Sequence, residues 1–190
     1  MPPRPNNPAR PRSAYLDIET SFARTVTVVG LLTPRGFHQW IGRQVTADSI
    51  LDALDGLETL VTFNGDRFDL PVLRRALGVE LRSHVTSHDL LRDCWRLRLY
   101  GGLKVVERRL GIARATSGMD GYEAMRLWER YVALDDTEAL VRLKAYNRED
   151  VMNLPKVEAR LQRLEMGLRP SGAWGQASGL PLTRTIGGGS

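Results

Sequence analysis

Apolar and polar positions change their period along the chain, and each change marks an element. "SAYLDIET" (13–20) is a short apolar run interrupted by Asp17 and Glu19, and it reads as a strand. The β-branched "TVTVVGLLT" (25–33) reads as a second strand. "FHQWIGR" (37–43) follows a Pro-Arg-Gly turn, alternates with period two and reads as a third. Short connections predict a meander. "TADSILDALDGL" (46–57) reads as a helix with Thr46 and Asp48 as capping candidates and a stop near Gly56. "ETLVTFNG" (58–65) is a fourth strand closed by an Asn-Gly turn, and "FDLPVLRRALG" (68–78) a short helix ended by glycine. "SHVTSHD" (83–89) reads as a short fifth strand.

From residue 90 onward the period is helical. The pattern predicts helices over 90–99, 103–110, 121–132 and 137–154, with "ARATSGMDG" (113–121) as a polar loop. Pro155 is expected to kink or stop the last helix, with 157–165 as its continuation. Strand, strand, strand, helix, strand, helix, strand and then helices is an α/β order. It predicts a mixed five-stranded sheet with flanking helices, not the regular alternation of a doubly wound fold.

The last helix contains an anomaly. In "AYNREDVMNL" (145–154), Leu143, Val151 and Leu154 supply an apolar face, yet at about 100° per residue Asp150 projects onto the same stripe. Tyr146 lies one turn earlier on nearly the same side. A carboxylate facing a core is costly unless something pairs with it, and the partner is either a cation or an Arg or Lys from a neighbouring element.

Composition narrows the setting. The 190 residues suffice for one well-buried domain, and 42% hydrophobic with 26% charged content is ordinary for a globular protein. No apolar run approaches the ~20 residues that span a bilayer, so no membrane partner is expected. Residues 1–13 hold five prolines and no periodicity, and read as a disordered basic arm; residues 166–190, rich in Gly, Ser and Pro, read as a flexible tail. The folded domain is thus expected over 14–165. The net charge of +5 comes from Arg4, Arg10, Arg12, Arg169 and Arg184 in these tails, so the domain itself is electrically neutral. The single cysteine, Cys94, excludes an internal disulfide, fits a reducing, cytoplasmic setting, and reads as a buried apolar residue.

The chemistry lies in the acids. Asp17 and Glu19 stand two apart on a strand, so both project from one face. Held side by side they repel unless a cation lies between them, and hard carboxylate oxygens favour Mg²⁺ or Mn²⁺; the alternative is an edge pair facing water. Asp69 opens a helix after the fourth strand, where a carboxylate also serves the helix terminus. Asp66, in the preceding turn, reads as a turn residue, and His88 as a structural histidine.

Taken together, "DIE", "NGDRFD" and "YNRED" resemble the three motifs of the DEDD 3′–5′ exonucleases, which have a ribonuclease-H-like fold. The tyrosine four residues before the last aspartate resembles the DEDDy branch, since the histidine branch would have its histidine where Ala145 stands. With "SHDLLRD" and "GGLKVVERRLGI", the chain over roughly 14–165 is similar to the YprB-type ribonuclease-H-like domain. The resemblance implies two divalent cations, Mg²⁺ or Mn²⁺, one held by Asp17, Glu19 and Asp150 and one by Asp17 and, through water, Asp69. It implies that Tyr146 orients the attacking water.

Substrate contacts are expected from Thr20 and Ser21 after the first motif, Asn64 and Phe68 around the second, and Lys104 after "GG". Each has a plainer role open to it, as a cap, a turn residue, a core aromatic or a solvated lysine. The implied partner is a single-stranded 3′ end, DNA ahead of RNA. The alternatives are an RNA-trimming exoribonuclease and a non-catalytic nucleic-acid-binding module of the same fold. An oligomer that encloses a substrate channel stays open. No Walker-type or dinucleotide glycine pattern occurs, which disfavours phosphate-loop enzymes.

Overall fold

A computed structural model describes residues 12–116 and 118–167. The predicted arm (1–13) and tail (166–190) fall almost wholly outside these residues. Three strands form the predicted meander: β1 (Ser13–Thr20), β2 (Val26–Thr33) and β3 (Gly36–Ile41), antiparallel throughout. Then come α1 (Ala47–Leu54), β4 (Thr59–Thr62), α2 (Asp69–Leu77) and β5 (Thr86–Asp89). β4 pairs parallel to β1 and β5 parallel to β4, so the sheet is mixed, in the order β3-β2-β1-β4-β5. Among the described residues four α-helices follow: α3 (Leu90–Arg96), α4 (Leu103–Arg109), α5 (Gly121–Leu134) and α6 (Thr137–Glu165). Among the described residues no helix is long and apolar enough to cross a membrane.

The period-two pattern of β1 divides the core. Ala14, Leu16 and Ile18 point to one face and pack with Val29, Leu31, Leu60 and the buried sides of α1 and α2. Tyr15 points to the other face, where Val61, Leu90, Cys94, Val106, Leu154 and Leu161 close a second cluster beneath α3, α4 and α6. Asp17 and Glu19 share that second face and look toward α6.

α6 runs through Pro155 as one helix, so the proline does not stop it and 157–165 continues it. The ring removes one backbone hydrogen bond, but Leu154, Val157 and Leu161 on either side are fully buried, and that burial outweighs the loss.

Candidate active site

The row of residues across the sheet explains how Asp17 is held. Asp17 lies opposite Gly30 on β2, and Gly30 opposite Gln39 on β3. Asn147 of α6 spans this row. Its Nδ2 donates to the Asp17 carbonyl (3.1 Å) and to Asp17 Oδ2 (3.0 Å), while its Oδ1 accepts from Gln39 Nε2 (2.9 Å). The middle residue must lack a side chain: a Cβ on Gly30 would run into Asn147 and come within 2.8 Å of Val151. The fully buried amide thus docks the helix on the sheet and aims the first acid in one arrangement.

Asp69 is placed by a different device. Beyond residue 15, β1 is no longer paired with β4, which leaves the Ile18 N–H without a strand partner; Asp69 Oδ1 accepts it at 3.2 Å. The turn before Asp69 is braced by Asp89, whose carboxylate accepts from the backbone N–H groups of Asn64 (2.7 Å), Asp66 (3.2 Å) and Leu91 (3.0 Å). Asn64 takes a left-handed conformation (φ 63°), and a Cβ on Gly65 would collide with Thr62. The Asn-Gly pair is therefore needed for this turn. The turn brings Phe68 and Asp69 to the mouth of a cavity.

That cavity, about 250 Å³ and open to solvent, is lined by Asp17, Glu19, Thr20, Asn64, Phe68, Asp69, Tyr146 and Asp150. Asp17, Glu19 and Asp150 each present a carboxylate oxygen within 4.8 Å of the others. Asp69 lies at the same cavity but outside this triple. Loss of water contact, then the neighbouring charge of Asp150, raises the proton affinity of both Asp17 and Glu19 well above the usual carboxylate range. Burial likewise lifts Asp69 to about 7. Hard oxygen donors crowded to this degree fit a divalent cation, which would offset the repulsion among them.

Tyr146 is buried and its phenol accepts a hydrogen bond from the Lys104 ammonium, which also lies 4.3 Å from the ring centroid. Burial, and then the charges of Asp150 and Glu19, raises its pKa, so it stays protonated. Lys104, expected at a backbone phosphate, lies near Glu19 and Asp150 with its ammonium on the tyrosine. Ser21 departs further from expectation. It is buried, and its hydroxyl is shared with Thr25 (2.7 Å) across the β1–β2 turn.

Sequence reasoning missed Arg114. The polar loop after α4 sends this side chain inward, almost entirely buried. Its guanidinium grips both oxygens of Glu107 (2.9 and 2.7 Å) and pairs with Asp150. Glu107 is itself fully buried and accepts from Asn153 Nδ2 at 2.9 Å. Glu149 fastens the loop to α6 by accepting from the backbone of Ala115 and Thr116. The two partners foreseen for Asp150, a cation and an arginine, are thus compatible: Arg114 takes Oδ1 and Asp150 still faces Asp17 and Glu19.

Two other groups take no part. Cys94 is buried, and burial pushes its thiol up to about 12. His88 Nε2 donates to Asp93 Oδ2 (2.7 Å) and its Nδ1 lies 3.5 Å from Glu158, partners that raise it to about 9. It is structural, as expected.

The chain also bears comparison with known families and solved structures. The family pattern RNase_H_2 matches residues 14–162. The chain belongs to the RNase_H superfamily. Among solved structures, this RNase H-like chain is similar to the family B DNA polymerase from the hyperthermophilic archaeon Pyrobaculum calidifontis, with a TM-score of 0.61 and 18% identity. That likeness of fold covers 79% of this chain and 24% of the polymerase, so the chain spans about a quarter of that protein. No curated protein matches the sequence.

Proposed function

We propose that this RNase H-like chain is a divalent-metal-dependent 3′–5′ exonuclease acting on single-stranded nucleic-acid ends, DNA ahead of RNA. The resemblance of its motifs to the DEDDy branch, and to the YprB-type domain within it, supports this reading. The observation that carries it is the convergence of Asp150 with the distant pair Asp17 and Glu19 to within 4.8 Å, beside Asp69 and Tyr146 in one open cavity.

Asp17, Glu19 and Asp150 would hold one cation, and Asp17 with Asp69 a second. Bound there, Mg²⁺ or Mn²⁺ would supply the positive charge that activates water and stabilises an in-line phosphoryl displacement. The chain's own groups do the rest. Tyr146, its oxygen occupied by Lys104, keeps its proton free to donate to the attacking water or a phosphate oxygen and cannot act as a base. Asn147 holds Asp17, the Ile18 amide holds Asp69, and Arg114 holds Asp150, so the acids are fixed before substrate arrives. Water is the nucleophile, since Cys94 is sealed and His88 engaged. Phe68 at the cavity and the edge-to-face pair Phe22–Tyr122 are exposed aromatics on which unpaired bases can stack. Thr20 and Asn64 line the cavity and can contact the terminal nucleotide.

The Arg114–Asp150 pair is the one feature that favours the other reading, a nucleic-acid-binding module of the same fold without catalysis. Incubation with 5′- and 3′-labelled single- and double-stranded DNA and RNA, in Mg²⁺, Mn²⁺ or chelator, separates the two. The exonuclease reading expects mononucleotides from the 3′ end only when a cation is present. Binding without cleavage in every condition, or cleavage that survives Asp17→Ala, would refute it.

A further inference from the structure

The C-terminal half of α6 sorts its charges onto two sides. Glu158 accepts the Tyr15 hydroxyl (2.6 Å) and faces His88, and Glu165 pairs with Arg96 of α3 at 3.0 Å. Lys156, Arg160 and Arg163, at i, i+4 and i+7, fall within roughly 60° of one another on the opposite side. They line a groove of about 420 Å³ whose other wall is Gly111, Ile112 and Ala113. Among the described residues neither Arg160 nor Arg163 has a carboxylate partner, and the Lys156 ammonium donates to a neutral oxygen, Asn153 Oδ1 (2.7 Å). Arg108 and Arg109, exposed in the last turn of α4, add two more cations just before that wall. The acids of this region are all committed elsewhere, so the groove keeps its positive charge, and concavity concentrates the field.

The loop that forms the groove's second wall also reaches the candidate site. The residue after Ala113 is Arg114, which grips Asp150. Along α6, Lys156 to Arg163 lie about 9–20 Å beyond Asp150, at about 1.5 Å per residue. We propose that this groove binds the sugar-phosphate backbone of the strand whose end lies at the acid cluster. At roughly 3.4 Å per step it would meet phosphates about three to six nucleotides from that end. Phosphate contacts position a strand and carry no base information, so the groove would confer affinity without sequence choice. The proposal rests on the nuclease reading and goes beyond it by assigning the path of the chain away from the chemistry.

The test is binding of a fluorescent single-stranded oligonucleotide of about 20 nucleotides by the full chain, in chelator, over a salt series. Arg160→Ala/Arg163→Ala should lose on the order of tenfold in affinity at low salt. It should also flatten log K against log salt by about 1.4, at ~0.7 per lost contact. Arg160→Lys/Arg163→Lys should keep both near wild type. Arg126→Ala/Arg130→Ala removes the same charge from α5, where both residues already pair with acids, and should change affinity less than twofold. Equal losses in the α5 and α6 variants, or an unchanged slope in the α6 alanine variant, would overturn the groove. No binding by the wild-type protein at any salt would also overturn the groove, whereas the nuclease reading falls only on the labelled-strand cleavage assay.

Discussion

Asp150 is the residue at which the chain's competing demands meet. Its carboxylate is nearly buried, repelled by Asp17 and Glu19, and tolerated because Arg114 supplies a compensating charge. Arg114 is in turn held by Glu107, so removing Glu107 takes away two of the buried guanidinium's hydrogen bonds and leaves its charge to Asp150 and Glu149. Glu107→Ala should cost about 3 kcal/mol or more in urea unfolding, and Glu107→Gln less, because it can still accept from Asn153. Tyr146→Phe should slow 3′-end cleavage roughly tenfold while leaving Mn²⁺ affinity unchanged in a calorimetric titration. Equal turnover would show the hydroxyl to be idle. Asp17 with Glu19, and Tyr146 with Asp150, were legible as pairs on a shared face because their spacing is local, i, i+2 on a strand and i, i+4 on a helix; only the resemblance of the motifs joined the pairs to each other and to Asp69. Arg114, Glu107 and Asn147 were not. An arginine in a polar loop gives no local sign of burial, and the partners that make it necessary are 7 and 36 residues away.

At the scale of elements, the site is an agreement between α6, β1 and the turn after β4. Gly30→Ala should destabilise the protein by about 1–3 kcal/mol, because α6 must retreat from β2 to admit the methyl group. Cation affinity should fall with it, since Asn147 leaves Asp17; a stability loss with unchanged affinity would mean that the amide does not aim the acid. Asp89→Ala removes a helix cap and the brace of the Asn64–Asp66 turn. It should cost about 1–2 kcal/mol in thermal unfolding and lower activity by displacing Asp69. The elements themselves followed from periodicity almost throughout. Pro155 is the exception: a proline's local cost is visible in sequence, while the core that absorbs it is built by distant residues.

For the whole molecule, the crowded carboxyls tie stability to pH and to cations together. Unfolded, Asp69 titrates near 3.8; folded and cation-free it holds its proton to about 7. Between those values the native state binds more protons than the unfolded chain, so this group's contribution to stability falls as pH rises through the window. A divalent cation bound to the ionised acids opposes that loss. The rise in Tm on adding Mg²⁺ should therefore grow as pH is raised through about 7, and a pH-independent increment would argue against these ligands. The claim on which the account turns is that Asp17, Glu19 and Asp150 form a divalent-cation site. Its most direct test is calorimetric titration of the chain with Mn²⁺, beside Asp17→Asn and Asp150→Asn. The account predicts saturable binding by the wild type that both variants lose, with the fold retained by circular dichroism. Mn²⁺ binding that both variants keep unchanged would contradict it.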